Sequence, residues 1–227
     1  MKIIGLLAIL ITASSFGYEF GSNVPEKVKN QIVQDLKFMQ DIQGSDTSGI
    51  HKEIFGELKG SNYVDWFEKR VTYIGLHTCG GGGASKPVAC VIPFLGSSKI
   101  WLTKYYTESD HPQIAKMMVV FHEARHTEVE NGNWSHATCP TPFKNAKGED
   151  MKSIWTGATL AGEAACDVTP LGSYGSSMIL VKNVNKFCSN CTEKVKMDAG
   201  IYADDQFGRI IDADAIAAVK ADLYNGR

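Results

Sequence analysis

The 227-residue sequence contains, beyond its N-terminal segment, no run of about 20 apolar residues, the length that crosses a bilayer as a helix. It also lacks a surplus of positive charge, since 23 Lys and Arg residues stand against 25 Asp and Glu residues, for a net charge of −2. No basic stripe, internal repeat or low-complexity linker is visible. These absences argue against a membrane-spanning mature chain and against a nucleic-acid partner, and they favour one globular unit.

A phosphate-binding loop is also missing. Four consecutive glycines occupy positions 80–83, but no Lys-Ser/Thr pair follows them and no helix is predicted to begin there. We interpret this segment as a flexible connection between two strands.

The N-terminal segment has the pattern of a secretory signal peptide over residues 1–17. Lys2 supplies a short positive region, residues 3–11 are almost all apolar, and small residues precede Tyr18. The apolar run is too short to span a bilayer. We therefore expect a secreted or periplasmic protein whose mature chain begins near Tyr18.

The six cysteines are interpreted in the light of this expected export. An even number of cysteines in an oxidising compartment favours structural disulfides, and a four-cysteine zinc site is the alternative. Proximity along the chain predicts two pairs, which leaves the third: Cys79–Cys90, Cys188–Cys191 and Cys139–Cys166.

Hydrophobic periodicity predicts helices mixed with short strands. Helices are predicted over residues 25–42, 50–58, 111–128, 151–168 and 212–224. Strands are predicted over residues 71–76, 88–94 and 99–106, the last of them as an edge strand. Residues 178–184 form a short buried run whose type the pattern leaves open. We expect an α+β fold in a single domain over 18–227, with an α/β part at 18–130 and a mainly helical part at 131–227.

Residues 122–126 have the sequence His-Glu-Ala-Arg-His, an HExxH motif on the helix predicted over 111–128. Because four residues make slightly more than one helical turn, His122 and His126 project from the same face and can reach one metal ion. Glu123 lies beside the first histidine, where it can accept a proton from an attacking water.

The surroundings of the motif favour this interpretation. Residues 117–121 are apolar all round the helix, which is typical of a helix buried inside a protein. A His-Glu pair in such a helix is costly to bury without partners, and a metal ion supplies them. Catalytic zinc normally has three protein ligands and an open fourth position.

The third ligand has several candidates. Glu163 and Asp167 lie four residues apart on the helix predicted over 151–168, so that Glu163 can bind the metal while Asp167 accepts the outer N–H of a ligating histidine. His136 is the alternative, ten residues after His126, and Asp167 itself is a further one. The metzincin pattern requires a histidine at position 132, where this chain has glycine.

An HExxH motif followed by ExxxD resembles the thermolysin-like gluzincins, which are zinc metallopeptidases of the zincin type. The resemblance is confined to these two segments. It implies that His122, His126 and Glu163 bind Zn²⁺, that Glu123 is the general base, and that Asp167 steadies His122. The downstream histidine that stabilises the oxyanion in this family has no counterpart, because no histidine follows His136.

We therefore expect a zincin-like domain that uses Zn²⁺ to hydrolyse peptide bonds of a peptide or protein substrate. Tyr174 is a candidate donor to the developing oxyanion. By analogy with zincins, the strand at 99–106 would line the substrate cleft. Two alternatives stay open: a secreted binding or inhibitory domain with a non-catalytic metal, and a hydrolase of cell-wall amides.

Overall fold

The computed structural model of the protein describes residues 17–80, 86–133 and 135–225. Its helices are α1 (Glu26–Asp41), α2 (Gly49–Phe55), α3 (Gly60–Glu68), α4 (Lys104–Thr107), α5 (Gln113–His126), α6 (Ser173–Phe187), α7 (Glu193–Phe207) and α8 (Ala213–Val219). Its strands are β1 (Glu19–Phe20), β2 (Tyr73–Leu76), β3 (Ala89–Val91), β4 (Lys99–Leu102), β5 (Ala137–Thr138) and β6 (Ala164–Cys166). The predicted signal peptide lies outside the described residues, except for Gly17. In the described ranges, no helix has both the length and the apolar character needed to cross a membrane.

The architecture is α+β, as predicted, with two small sheets. The larger sheet has the order β1-β2-β4-β3, in which β1, β2 and β4 run parallel and β3 runs antiparallel to β4. The smaller sheet is the antiparallel pair β5–β6. The edge beside the HExxH helix is therefore formed by β3.

The prediction of an edge strand over residues 99–106 is wrong in two respects. The strand β4 lies between β2 and β3, and it ends at Leu102. Thr103 ends it, because its hydroxyl accepts a hydrogen bond from the Tyr105 backbone and so caps α4. The alternation that suggested an edge strand reflects Ile100 and Leu102, which are buried on one face of a central strand.

The HExxH helix α5 lies at the centre of the molecule. Eleven of its 14 residues are buried, because an apolar surface all round the helix packs against a partner on every side. It contacts α1, α6 and α7 as well as β3 and β4. The ring of Phe121 packs among the aromatic rings of Phe55, Tyr63, Trp66 and Phe67. This packing fixes the orientation of α5 and of the histidines on it.

The helix predicted over residues 151–168 does not form. The chain there makes turns and isolated bridges and then enters β6. Gly157 and Gly162 have φ angles of 69° and 78°, which interrupt a right-handed helix. Pairing of β6 with β5 takes the backbone groups of residues 164–166 that a helix would need. Glu163 and Asp167 are consequently not one helical turn apart.

The remaining differences concern elements that the pattern did not resolve. The buried run at 178–184 belongs to α6, while the helices α3 and α7 and the strands β1 and β5 were not predicted. The predicted C-terminal helix is present as α8, which continues into a π-helical turn over Lys220–Tyr224.

The three disulfides have the predicted pairing. Cys79–Cys90 joins the start of the glycine-rich segment to β3, and Cys139–Cys166 joins the end of β5 to β6. Cys188–Cys191 closes the short connection between α6 and α7. The Cys139–Cys166 disulfide lies inside a small hydrophobic cluster apart from the main core, formed by Cys139, Phe143, Leu160, Ala165 and Cys166.

Candidate metal centre

Two of the candidate ligands come from the last turns of α5. His122 and His126 are both buried, and their Nε2 atoms lie 3.1 Å apart. The helical spacing predicted from the motif therefore places both imidazoles toward one point.

His136 completes the group from outside the helix. After α5 the chain turns at Gly132, which has a φ of 76°, and His136 directly precedes β5. Its Nε2 lies 3.0 Å from that of His126 and 3.2 Å from that of His122. Pairing of β5 with β6 and the adjacent Cys139–Cys166 disulfide hold this segment against the end of α5.

The hydrogen bonds made by Nδ1 of these histidines show which ring nitrogen carries the proton. Nδ1 of His126 donates to the Asn133 carbonyl at 2.7 Å, and Nδ1 of His136 donates to Oδ1 of Asp167 at 3.0 Å. His122 bonds the backbone of Ser173. Because a carbonyl or carboxylate can only accept, these contacts place the protons on Nδ1 and leave the Nε2 lone pairs facing one another.

Three converging lone pairs repel unless a cation lies among them. Nitrogens bound to one tetrahedral zinc at about 2.0–2.1 Å are about 3.3 Å apart, and the observed separations of 3.0–3.2 Å are close to that value. Burial, with the neighbouring His126 and His136 next, holds the pKa of His122 well below its usual range. Neutral imidazoles are the form that binds metal, so the three histidines fit a divalent ion.

Asp167 is fixed by the start of α6. Its Oδ2 accepts hydrogen bonds from the backbone N–H groups of Tyr174 at 2.7 Å and Gly175 at 3.2 Å. The N-terminus of a helix favours a negative charge. Gly172 is required at this point, because a Cβ there would lie 2.3 Å from the Asp167 carboxylate. The carboxylate that orients His136 is thus itself held in one position.

Glu123 is the acidic group beside these histidines. Its side chain is buried, and its Oε2 has no hydrogen-bond partner among the described residues. Burial raises the pKa of Glu123 to about 8. A buried carboxylate without a partner in the protein is the arrangement expected where a cation, a water or a substrate provides one.

Tyr174 and Arg209 lie beside the three histidines. The Tyr174 ring stacks on His136 with centroids 4.3 Å apart and meets the His122 ring edge-on at 4.5 Å. The Arg209 guanidinium lies 4.6 Å from the centroid of the Tyr174 ring. Burial raises the pKa of Tyr174, so the phenol keeps its proton.

The three histidines, Glu123, Tyr174 and Arg209 border one cavity of 370 Å³. One wall is β3, a second is the segment over residues 153–165, and the histidines of α5 lie at its base beside Tyr174 and Arg209. The volume is within the range of pockets that bind small molecules, about 300–1,000 Å³.

Comparisons of the chain with protein-family models, curated proteins and solved structures gave no match. The function is therefore argued from the geometry of the site.

The structure brings most of the predicted site residues together. His122, Glu123, His126, His136, Asp167 and Tyr174 all lie around the cavity or directly behind it. Glu163 also lines the cavity, from the turn before β6, but it is not part of the group of converging ligand atoms. Among the described residues, the histidine that joins His122 and His126 in a group able to hold a metal ion is therefore His136, and Asp167 accepts a hydrogen bond from this histidine.

A second group of potential ligands does not form a metal centre. His77, Cys79 and Cys90 lie close together, but the two cysteines are joined in a disulfide and provide no thiolate.

Three contributors to the site were not predicted. Asn133 acts through its backbone carbonyl, which no side-chain pattern can reveal. The Ser173 hydroxyl lies 3.1 Å from Nδ1 of His126, a contact between residues 47 positions apart that no spacing predicts. Arg209 lies 83 positions after His126 in the sequence, and no spacing connects the two.

Proposed function

We propose that this protein is a secreted, zinc-dependent hydrolase of zincin type that cleaves peptide or related amide bonds. The observation that carries the proposal is the convergence of three Nε2 atoms within 3.0–3.2 Å of one another, beside the buried carboxyl group of Glu123, whose Oε2 has no hydrogen-bond partner among the described residues. The three disulfides support an oxidising compartment.

His122, His126 and His136 would hold the metal. Three neutral nitrogen ligands suit zinc among the divalent metals available to proteins, and they match catalytic sites that keep one position open. A divalent ion bound in this way supplies a Lewis acid that polarises the carbonyl of the bond to be cleaved.

Glu123 is the proton acceptor in this proposal. A divalent ion at the three histidines would favour the ionised form of Glu123, whose pKa burial alone raises. Its Oε2, which has no hydrogen-bond partner among the described residues, can then take a proton from the attacking water and transfer it to the departing amine nitrogen. Packing of α5 on all sides keeps the carboxylate in the cavity wall, so that no reorganisation of the helix is needed during the reaction.

Tyr174 is the donor to the developing negative charge. Because burial keeps the phenol protonated, its hydroxyl can donate a hydrogen bond to a substrate oxygen. The nearby positive charge of Arg209 strengthens that donation.

A polypeptide substrate is supported by β3. Among the strands in the described part of the chain, β3 pairs with β4 alone, and all three of its residues line the cavity. An extended peptide can pair with such an edge through backbone hydrogen bonds. In this proposal β3, and not the segment over residues 99–106, lines the substrate cleft.

The proposal is tested with the purified mature protein and three variants. We expect one bound zinc per chain by elemental analysis and cleavage of a mixed peptide library by the wild type. Glu123→Gln should keep the metal and lose at least about 100-fold in turnover. The control is Glu130→Gln, which changes an exposed acidic residue in the turn after α5 and should retain both the metal and the turnover. His136→Gln should lose the metal, and Glu163→Gln should keep it.

Other results would select the alternatives. Bound metal with equal turnover in wild type and Glu123→Gln favours a binding or inhibitory domain. Release of products from muropeptides but not from the peptide library favours a hydrolase of cell-wall amides.

A further inference from the structure

Arg209 is a buried cation that the proposed reaction does not require as a ligand or a base. The residue is 4% exposed and lines the same cavity as the three histidines. Its Nε has no hydrogen-bond partner among the described residues. A charged side chain is rarely buried to this extent unless an anion pairs with it.

The partners that the protein itself provides are weak. Nη2 of Arg209 lies 3.5 Å from Oδ2 of Asp205, whereas charge-assisted bonds of this type are about 2.7–2.9 Å long. The same oxygen already accepts a hydrogen bond from Nε2 of Gln206 at 2.7 Å. The other contact of the guanidinium is with Tyr174, which is neutral. The positive charge is therefore only partly balanced.

Arg209 places this positive charge close to the three histidines. Its guanidinium lies over the ring of Tyr174, and that ring stacks on the imidazole of His136. A group bound by Arg209 would thus be separated from the histidine cluster by about one aromatic ring. The planar guanidinium matches a carboxylate with two parallel hydrogen bonds.

We propose that Arg209 binds a carboxylate of the substrate next to the scissile bond, and that the substrates are therefore peptides with a carboxylate at this position. The carboxylate is either the C-terminus of the peptide or the side chain of Asp or Glu. The inference rests on the proposed function, because it takes the cavity to be a substrate site. A cavity of 370 Å³ is suited to a short segment of this kind.

Binding to the zinc-loaded Glu123→Gln protein tests the inference without requiring hydrolysis. The first pair of probes is N-acetyl-Ala-Phe-Ala with a free carboxylate and with a C-terminal amide. The second pair is N-acetyl-Ala-Glu-Ala amide and N-acetyl-Ala-Gln-Ala amide. Dissociation constants are measured by calorimetry. We expect the carboxylate form of one pair to bind about 10- to 100-fold more tightly than its neutral counterpart, and the pair that shows the difference identifies the source of the carboxylate.

Further variants assign this preference to Arg209. Introduced into the Glu123→Gln protein, Arg209→Gln should abolish it, and Arg209→Lys should retain part of it. Lys86→Gln, which removes an exposed cation lining the same cavity, should leave it unchanged. Zinc content and far-UV circular dichroism show whether each variant is folded.

Several results would overturn the inference. These are equal binding within both pairs, no binding of any probe, and a preference that survives in Arg209→Gln, since the last would mean that the carboxylate contacts the metal instead. Hydrolysis by the wild type is measured separately, so failure of the carboxylate preference leaves the proposed hydrolase intact. Conversely, an Arg209-dependent carboxylate preference in a protein that hydrolyses none of the substrates would support the carboxylate site and refute the proposed hydrolase.

Discussion

Removal of the Cys139–Cys166 disulfide is expected to affect both the stability of the fold and the metal centre. The bond closes a loop with a sequence separation of 27 residues. Loop-closure entropy predicts that such a bond stabilises the folded protein by about 3.6 kcal/mol. For Cys188–Cys191, with a separation of 3 residues, the same relation gives about 2 kcal/mol.

The effect on the metal centre follows from the position of the bond. Ala137 pairs with Cys166 across the β5–β6 ladder, so His136 directly precedes one strand and Asp167 directly follows the other. The disulfide lies beside the two segments that carry this ligand and its hydrogen-bond acceptor. Loss of a partner that orients a ligand typically lowers metal affinity about 10- to 100-fold, and we expect a decrease of this size in the Cys139→Ala/Cys166→Ala variant.

The two effects need separate assays. Urea unfolding of the metal-free protein, followed by far-UV circular dichroism, gives the change in the free energy of unfolding. Competition with a chromophoric chelator gives the zinc affinity. The Cys188→Ala/Cys191→Ala variant is the matched control, and it should lose less stability and bind zinc as the wild type does. Equal zinc affinity in the wild type and in the Cys139→Ala/Cys166→Ala variant would refute the reasoning.

Two further predictions concern single residues. Asp167→Asn should lower zinc affinity about 10- to 100-fold, because it weakens the acceptor that orients His136; the exposed Asp214→Asn is its control, and equal affinities would contradict the role of Asp167. Burial lowers the pKa of His51 from 6.5 to about 4, so the unfolded chain takes up a proton first as the pH falls, and stability decreases from about pH 6.5 down to about pH 4, by about 3 kcal/mol in total. Urea unfolding of metal-free wild type and His51→Gln should show a difference in free energy that changes by this amount over that interval; parallel profiles would contradict the prediction.

The parts of the molecule that the sequence predicted well depend on local spacing. The HExxH helix is the best example, because two histidines four residues apart share a face whenever the segment is helical. The amphipathic helix α1 was recovered for the same reason. The disulfides were recovered because two of the pairs are close in sequence, which left one pairing for the third.

The errors concern properties that depend on distant parts of the chain. Whether β4 is a central or an edge strand depends on where β3 pairs, which its own residues do not determine. The segment over residues 151–168 has apolar residues at helical intervals, but its glycines and its pairing with β5 outweigh that periodicity. The approach of His136 to the two motif histidines is a property of the same kind, because it depends on the path of the chain after α5 and not on the motif.

The candidate metal centre combines two histidines of a core helix with a third histidine that directly precedes a strand secured by a disulfide. The helix can form during folding of a reduced chain, whereas the position of His136 depends on the oxidised Cys139–Cys166 pair. On the proposed function, oxidation of these thiols would therefore come before high-affinity uptake of the ion. A newly synthesised, reduced polypeptide would bind zinc about 10- to 100-fold more weakly than the oxidised protein.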